Sequence, residues 1–400
     1  MLENSLFLPF AKVWRKLGRV LGCYVHIPFC ARRCPYCDFA VSIDARQSFR
    51  GRYVAALQTE LSNELRILAS ENLDRKFDTV FLGGGTPTEL CAATLCQILA
   101  PISQKMKPDA EVSIEANPEN LNLHFLQELR EGGFNRISLG AQSFDARELL
   151  ALGRAHDARK IEDAARDARR AEFENVSLDL IYGAPGSSVS HWRRTLERAL
   201  ALDLTHISAY CLTIEDGTAF GKRVERGEMR APDSDLMADL MDETAQTLER
   251  AGFERYEVSN WAKPGFESRH NRNYWNGGDY LGVGCGAHGH FRGHRFWNQR
   301  DAKTYVSQME TAGEARAGEE ILTPRERAVE LVALGVRQRE GFDLAQLSRI
   351  GDFDARRALN ASLASFVSQN MLREENGRVL PMPDALVLAD GMAARLVAQF

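Results

Sequence analysis

The chain has 400 residues, 44% of them hydrophobic and 26% charged, with a formal net charge of −5. That composition belongs to an ordinary globular protein: two or three domains, or one large α/β barrel with an appendage. It offers no electrostatic case for nucleic acid, and no apolar run is long enough to span a bilayer.

The first 22 residues form a separate extension. Phe7, Phe10, Trp14, Leu17 and Leu21 recur at helical spacing, with Lys12, Arg15, Lys16 and Arg19 on other faces and Pro9 placed to open the helix. Such a basic amphipathic helix suits either docking onto the rest of the chain or peripheral contact with an anionic membrane. The basic residues interrupt the apolar run and argue against a cleaved secretory signal.

From residue 23 to 295, strand-like apolar runs alternate with helical patterns. The expected strands are Cys23–Ile27, Thr79–Leu82, Glu111–Ala116, Arg136–Leu139, Val176–Ile181 and His206–Cys211, with Tyr256–Ser259 following. Helices are expected near Ser48–Ser70, Ala92–Lys105, Leu121–Glu131, Ala146–Ala171, Ser190–Ala201 and Asp233–Ala251. Repeated βα units of this length imply a parallel α/β sheet closing as a complete or partial TIM-like barrel, with chemistry at the C-terminal strand ends. From 300 to 400 the pattern changes to four helices, a small hairpin at Leu372–Leu380 and a last amphipathic helix at Pro383–Val397. This predicts a helical, winged-helix-like domain. It lacks a concentrated basic face and reads as a lid or partner-docking domain rather than a DNA reader.

Eight cysteines in 400 residues, three of them clustered, fit a reducing, cytoplasmic compartment and a metal site rather than a disulfide framework. Cys30, Cys34 and Cys37 form a C-x3-C-x2-C triplet directly after the first strand. Three thiolates can hold three irons of a [4Fe-4S] cubane and leave the fourth open to a small molecule. Zinc would want a fourth ligand, which His26 could supply, or the thiols could simply be buried. Cys23, Cys91, Cys96 and Cys211 lie in apolar stretches and read as buried free thiols. Gly83-Gly84-Gly85-Thr86-Pro87-Thr88 follows the second strand but lacks the Gly-Lys-Ser/Thr ending of a phosphate loop.

The run Tyr24-Val-His-Ile-Pro-Phe-Cys30-Ala-Arg-Arg-Cys34-Pro-Tyr-Cys37-Asp-Phe39 resembles the cluster loop of radical SAM proteins of the coproporphyrinogen III dehydrogenase type. The dehydrogenases carry a further cysteine where this chain has Phe39, and that departure favours the heme-chaperone branch of the family. The resemblance implies that S-adenosylmethionine (SAM) meets Tyr24, Tyr36, Gly84, Gly85, Thr86, Glu115, Gln142, Arg154, Asp179 and Thr213, and that its amino and carboxylate groups chelate the open iron. The resemblance also implies a partial (β/α)6 TIM-like barrel, and the chemistry implied is one-electron reductive cleavage of SAM. Taken singly, each of these residues has an ordinary alternative as a cap, a surface pair or a barrel-rim hydrogen bond.

His270-Asn-Arg-Asn-Tyr274-Trp275 matches a motif of the same branch in which the histidine is implicated in heme binding. Imidazole is a good axial ligand, and the two aromatic residues offer flat apolar surfaces. The other reading makes His270 a barrel-end hydrogen-bonder. In Gly282-Val-Gly-Cys285-Gly-Ala-His288-Gly-His290, Cys285 and His288 are competing heme ligands, although a packed glycine-rich segment is the preferred reading. His290 and His294 read as exposed loop residues.

The function expected is a heme chaperone that binds a [4Fe-4S] cluster, SAM and heme. Its partners would be acceptor hemoproteins such as membrane cytochromes and an electron donor, with room for a homodimer and for peripheral contact at the inner membrane. Whether SAM is cleaved stays open at this level. The alternatives are an oxygen-independent coproporphyrinogen III dehydrogenase, another radical SAM transferase, or a plain zinc or winged-helix regulator.

Overall fold

The computed structural model describes residues 20–44, 46–70 and 75–400. The expected N-terminal helix lies outside them, except that Leu21, placed on its apolar stripe, instead opens the first strand and is fully buried.

Six strands run parallel: β1 (Leu21–Ile27), β2 (Phe77–Gly84), β3 (Met106–Ala116), β4 (Arg136–Gln142), β5 (Asn175–Tyr182) and β6 (His206–Cys211). Their interiors are nearly continuous apolar runs because both faces are covered, and all eight residues of β2 are buried. The connecting helices are α1 (Gln47–Ser70), α2 (Ala92–Ser103), α3 (Leu123–Glu131), α4 (Ala146–Ala151), α5 (Ala158–Arg170) and α6 (Val189–Leu200), then α7 (Ala219–Glu225) and α8 (Ser234–Arg250). Short polar side chains start several of them. Asn122, Asp157 and Ser188 each accept a hydrogen bond from the backbone three residues on, satisfying amides that have no helical partner.

The sheet extends further than the sequence pattern indicates. Beyond β6 come β7 (Glu254–Arg255), antiparallel β8 (Asn260–Ala262) and helix α9 (Arg269–Trp275). At the other edge β9 (Asp279–Val283) runs parallel to β1. It is followed by the antiparallel strands β10 (His288–Phe291), β11 (His294–Asn298) and β12 (Arg316–Ile321). Among the described residues the result is a twelve-stranded sheet whose end strands are β12 and β7, a partial barrel with an extended wall. His290 and His294 therefore sit in strands rather than exposed loops, and His290 is 3% exposed.

The break expected near residue 300 lies later. Helix α10 (Ala302–Ala312) packs on α1, and the larger core continues through Ala315. Glu60 of α1 fixes this wall: its buried carboxylate accepts from the Gly284 amide (2.8 Å), the Tyr305 hydroxyl (2.6 Å) and the Asn298 side chain. A second core begins at Ala328 and holds α11 (Pro324–Gly335), β13 (Phe342–Asp343), α12 (Leu344–Gly351), α13 (Ala355–Ser368), the hairpin β14 (Leu372–Glu375) and β15 (Arg378–Pro381), and α14 (Ala389–Val397). Thr323, Pro324 and Glu326 start α11 with a capping box. This domain joins the barrel through Arg272–Glu340 (2.8 Å) and through Gln338, which donates to Asn276 Oδ1 (3.0 Å).

Trp192 of α6 is fully buried, stands 5.5 Å from the Tyr182 ring, and donates through its indole N–H to Thr244 of α8 at 2.8 Å. Trp192→Ala removes that volume and the indole donor to Thr244, whose hydroxyl keeps its own bond to Leu240 O at 2.6 Å. The expected loss is about 3–5 kcal/mol, read as a lower denaturant midpoint.

Candidate functional site

The parallel strands all end on one side, and a cavity of about 620 Å3 opens there. Cys30, Cys34 and Cys37 line it together with Tyr36, Gly84, Gly85, Thr86, Glu115, Gln142, Arg154, Asp179 and Thr213. Of the residues expected to meet SAM, Tyr24 is the one the structure places elsewhere, on a neighbouring cavity.

The cysteine loop is stitched to the glycine loop by main-chain bonds. Gly85 N–H donates to Ile27 O and Thr86 N–H to Phe29 O, both at 2.8 Å. A Cβ at Gly85 would stand 2.6 Å from Pro28 O, and Gly84 has φ +116° with the His26 ring 2.5 Å from where its Cβ would be. Only glycine fits at either position. Gly84 N–H in turn donates to Glu115 Oε2 at 3.0 Å.

Burial pushes the Cys30 thiol up to about 11, against a hydrogen bond from Thr86, and burial raises Cys37 as well. Holding thiolates here requires added positive charge. Arg154 supplies part of it, its Nη1 lying 3.6 Å from Cys34 Sγ, and its Nε is buried without a partner. Among the described residues, no group of three His, Cys, Asp or Glu side chains converges on a single ion position. A zinc ion demands such convergence, whereas a cubane gives each thiolate its own iron. His26 is not free for zinc, since Nδ1 is bonded to the Tyr24 hydroxyl (3.0 Å) and Nε2 to Ala40 O (2.8 Å). The donor set fits an iron-sulfur cluster.

Beyond the thiols the cavity is polar, and its carboxylates Glu115 and Asp179 are half-buried. Burial, and next the charge of Asp179, push the Glu115 carboxyl up to about 7, while the Gly84 amide opposes the shift. Asp179 accepts from Ser138 at 2.9 Å and is raised chiefly by burial. Gln142 sits at a bulge in the β4–β5 pairing with φ 67°, a strained setting for a residue that is not glycine. Sequence reasoning missed Asn117, which bridges Thr86 Oγ1 (3.0 Å) and the Arg154 guanidinium. Its signal was its place two residues after Glu115 at the end of β3. Two cysteines expected to be buried are exposed: Cys91 precedes α2, and Cys211 lines this cavity.

A second cavity, of about 930 Å3, adjoins the first and shares Gly84, Glu115, Asp38 and Phe39 with it. Its walls include Tyr24, Tyr274, Tyr280, His288, His290, Arg295, Trp297 and Arg300, with Arg327, Glu330 and Leu334 from α11. His270 lines neither cavity. It is 1% exposed, with Nδ1 bonded to Thr79 Oγ1 and Nε2 to the Tyr274 hydroxyl, both at 2.8 Å. Burial lowers its pKa to about 3, so the ring is neutral and its one acceptor nitrogen is already taken. In this arrangement the expected axial ligation by His270 has no free lone pair; the ring braces Tyr274 at the cavity wall. Cys285 is also enclosed, with Tyr53 hydroxyl 3.6 Å away, and burial raises its thiol to about 12.

Comparison with known proteins agrees with this geometry. Residues 24–199 match the Radical SAM superfamily, and residues 322–388 match the HemN C-terminal domain. The chain is 40% identical to the heme chaperone HemW of Mycobacterium tuberculosis over 375 residues, covering 92% of this chain and 94% of that one. It is 35% identical to HemW of Bacillus subtilis, covering 80% and 83%, and 37% identical to HemW of Escherichia coli, covering 67% and 70%. The solved structure of coproporphyrinogen III oxidase (HemN) from Escherichia coli superposes with a TM-score of 0.83, covering 100% of this chain and 94% of that one. At 23% identity it shows a shared fold. With its triplet of cavity thiols on a partial barrel and this similarity along most of its length, the chain belongs to the HemW heme-chaperone family of radical SAM proteins.

Proposed function

We propose that this protein is a heme chaperone in which a [4Fe-4S] cluster held by Cys30, Cys34 and Cys37 and a SAM molecule occupy the smaller cavity, while heme occupies the larger one. The observation that carries this reading is the meeting of the two cavities at Glu115 and Gly84. When bound, the cluster would supply an electron to SAM. The chain's own residues bind, orient and exclude water. Glu115 and Asp179 are placed to accept hydrogen bonds from ribose hydroxyls, and Arg154 to offset thiolate or carboxylate charge. The aromatic walls of the larger cavity suit a flat apolar ring system.

Heme would pass from this cavity to acceptor hemoproteins, with α11 of the second domain forming one wall of the exit. His270 contributes through Tyr274 rather than at the iron. Phe39 is 64% exposed beside both cavities, where the dehydrogenases carry a further cysteine, so this chain lacks that sulfur.

Two outcomes are expected. Heme-loaded, anaerobically reconstituted protein mixed with an apo-hemoprotein should transfer its heme, followed as a shift of the Soret band. With SAM, reductant and coproporphyrinogen III it should release no carbon dioxide; retained heme together with decarboxylation would turn the reading to the dehydrogenase. SAM binding should also depend on pH. Glu115 is protonated below its raised pKa of about 7 and must be ionised to accept two ribose hydroxyls, so affinity rises as pH increases through about 7 and falls on acidification. Glu115→Gln should weaken SAM by roughly tenfold and flatten that profile in calorimetric titrations.

A further inference from the structure

The floor of the larger cavity is one face of the antiparallel extension. Alternation along β10 and β11 puts His288 and His290 on the same face as Arg295 and Trp297. The register pairs His288 with Trp297, and Trp297 with Gly318 of β12. A Cβ at Gly318 would lie 2.4 Å from the indole, so glycine there makes room for Trp297 to lie flat against the strand. The His288 ring stacks on Trp297, with centroids 5.9 Å apart and planes inclined by 24°.

His26, His288 and His290 all line this cavity, and of the three His288 alone is exposed. Neither of its ring nitrogens has a hydrogen-bond partner among the described residues. His270 and His26 have both nitrogens engaged. His290 donates or accepts at Nδ1 with Gly278 O (2.9 Å), and its Nε2 has no partner but is closed off from solvent. Of the three, His288 is therefore the ring open to a ligand in the cavity. Resting on the heme-chaperone reading above, we infer that His288, held upright against Trp297, is the axial ligand of the heme bound in this cavity. Arg295, paired with Glu320 (2.8 Å) and Glu330, and Arg300, paired with Asp38 (2.9 Å), line the same cavity and supply the cationic groups that propionates would need. The site lies beside the cysteine loop, since Asp38 and Phe39 line it too.

The test is a titration of the full-length protein with ferric hemin, followed by Soret absorbance and by electron paramagnetic resonance. Wild type, His288→Ala, His290→Ala and His270→Gln are compared, with thermal melting as a check of folding. His288→Ala should weaken binding at least about tenfold, the scale on which groups at metal sites act, and change the iron's spin signature. Added free imidazole should restore the wild-type spectrum in that variant. Unchanged affinity and spectrum in His288→Ala, or loss of the wild-type spectrum in His290→Ala instead, would overturn the assignment while leaving heme binding intact. Failure of the wild type to bind hemin would overturn the heme-chaperone reading itself, and the assignment with it.

Discussion

Six parallel strands that end on one side of a curved sheet impose the geometry on which everything else depends. Parallel pairing requires each connection to return behind the sheet, so the loops at the C-terminal ends are free to diverge and carry chemistry. The register then aligns those ends: Ile27 opposite Gly84, Ala116 opposite Leu139, Gly140 opposite Asp179 and Tyr182 opposite Cys211. Cys30, Glu115, Gln142, Arg154 and Asp179 are far apart in sequence but share one rim. The main-chain bonds from Gly85 and Thr86 to the segment before Cys30 lock the thiol loop to the second strand, so the rim behaves as one unit.

Two carboxylates, Glu60 buried and Glu115 half-buried, divide the work around that rim. Glu60 ties α1 to the ends of β9 and β11 and to α10, holding the extended wall at a fixed distance from the barrel. Glu115 stands where the two cavities meet and accepts from the glycine loop on which the sulfur-bearing segment rests. Both are pushed up to about 7, chiefly by burial, a cost of holding acids away from water. At Glu115 that cost has a use, because a carboxylate short of partners is ready for a ligand's hydroxyl groups.

The six barrel strands were legible because parallel strands buried on both faces read as unbroken apolar runs, and their helices because caps and spacing agree. The triplet Cys30, Cys34 and Cys37 and the glycine run were legible because chemistry fixes their spacing. The wall from β9 to β12 was not. Its sequence mixes glycine, histidine and arginine, its strands range from the mostly buried β9 to the mostly exposed β12, and one face looks into a cavity, so no period-two apolar signal marks it. That is why the sequence around His290 suggests a loop and a domain break near 300, whereas the wall continues through Ile321. His270 shows a different limit. A motif identifies a histidine but not which of its nitrogens is already engaged, and only the fold reveals Thr79 and Tyr274 on either side.

In the proposed reading, heme delivery would rest on two adjoining sites, one for a cluster with SAM and one for heme. An iron-edge anomalous difference map of crystals grown anaerobically from reconstituted, heme-loaded protein tests this directly. Two iron centres are predicted, one against Cys30, Cys34 and Cys37 and one in the larger cavity beside Trp297. Iron at the cysteines alone, or heme seated outside that cavity, would contradict it.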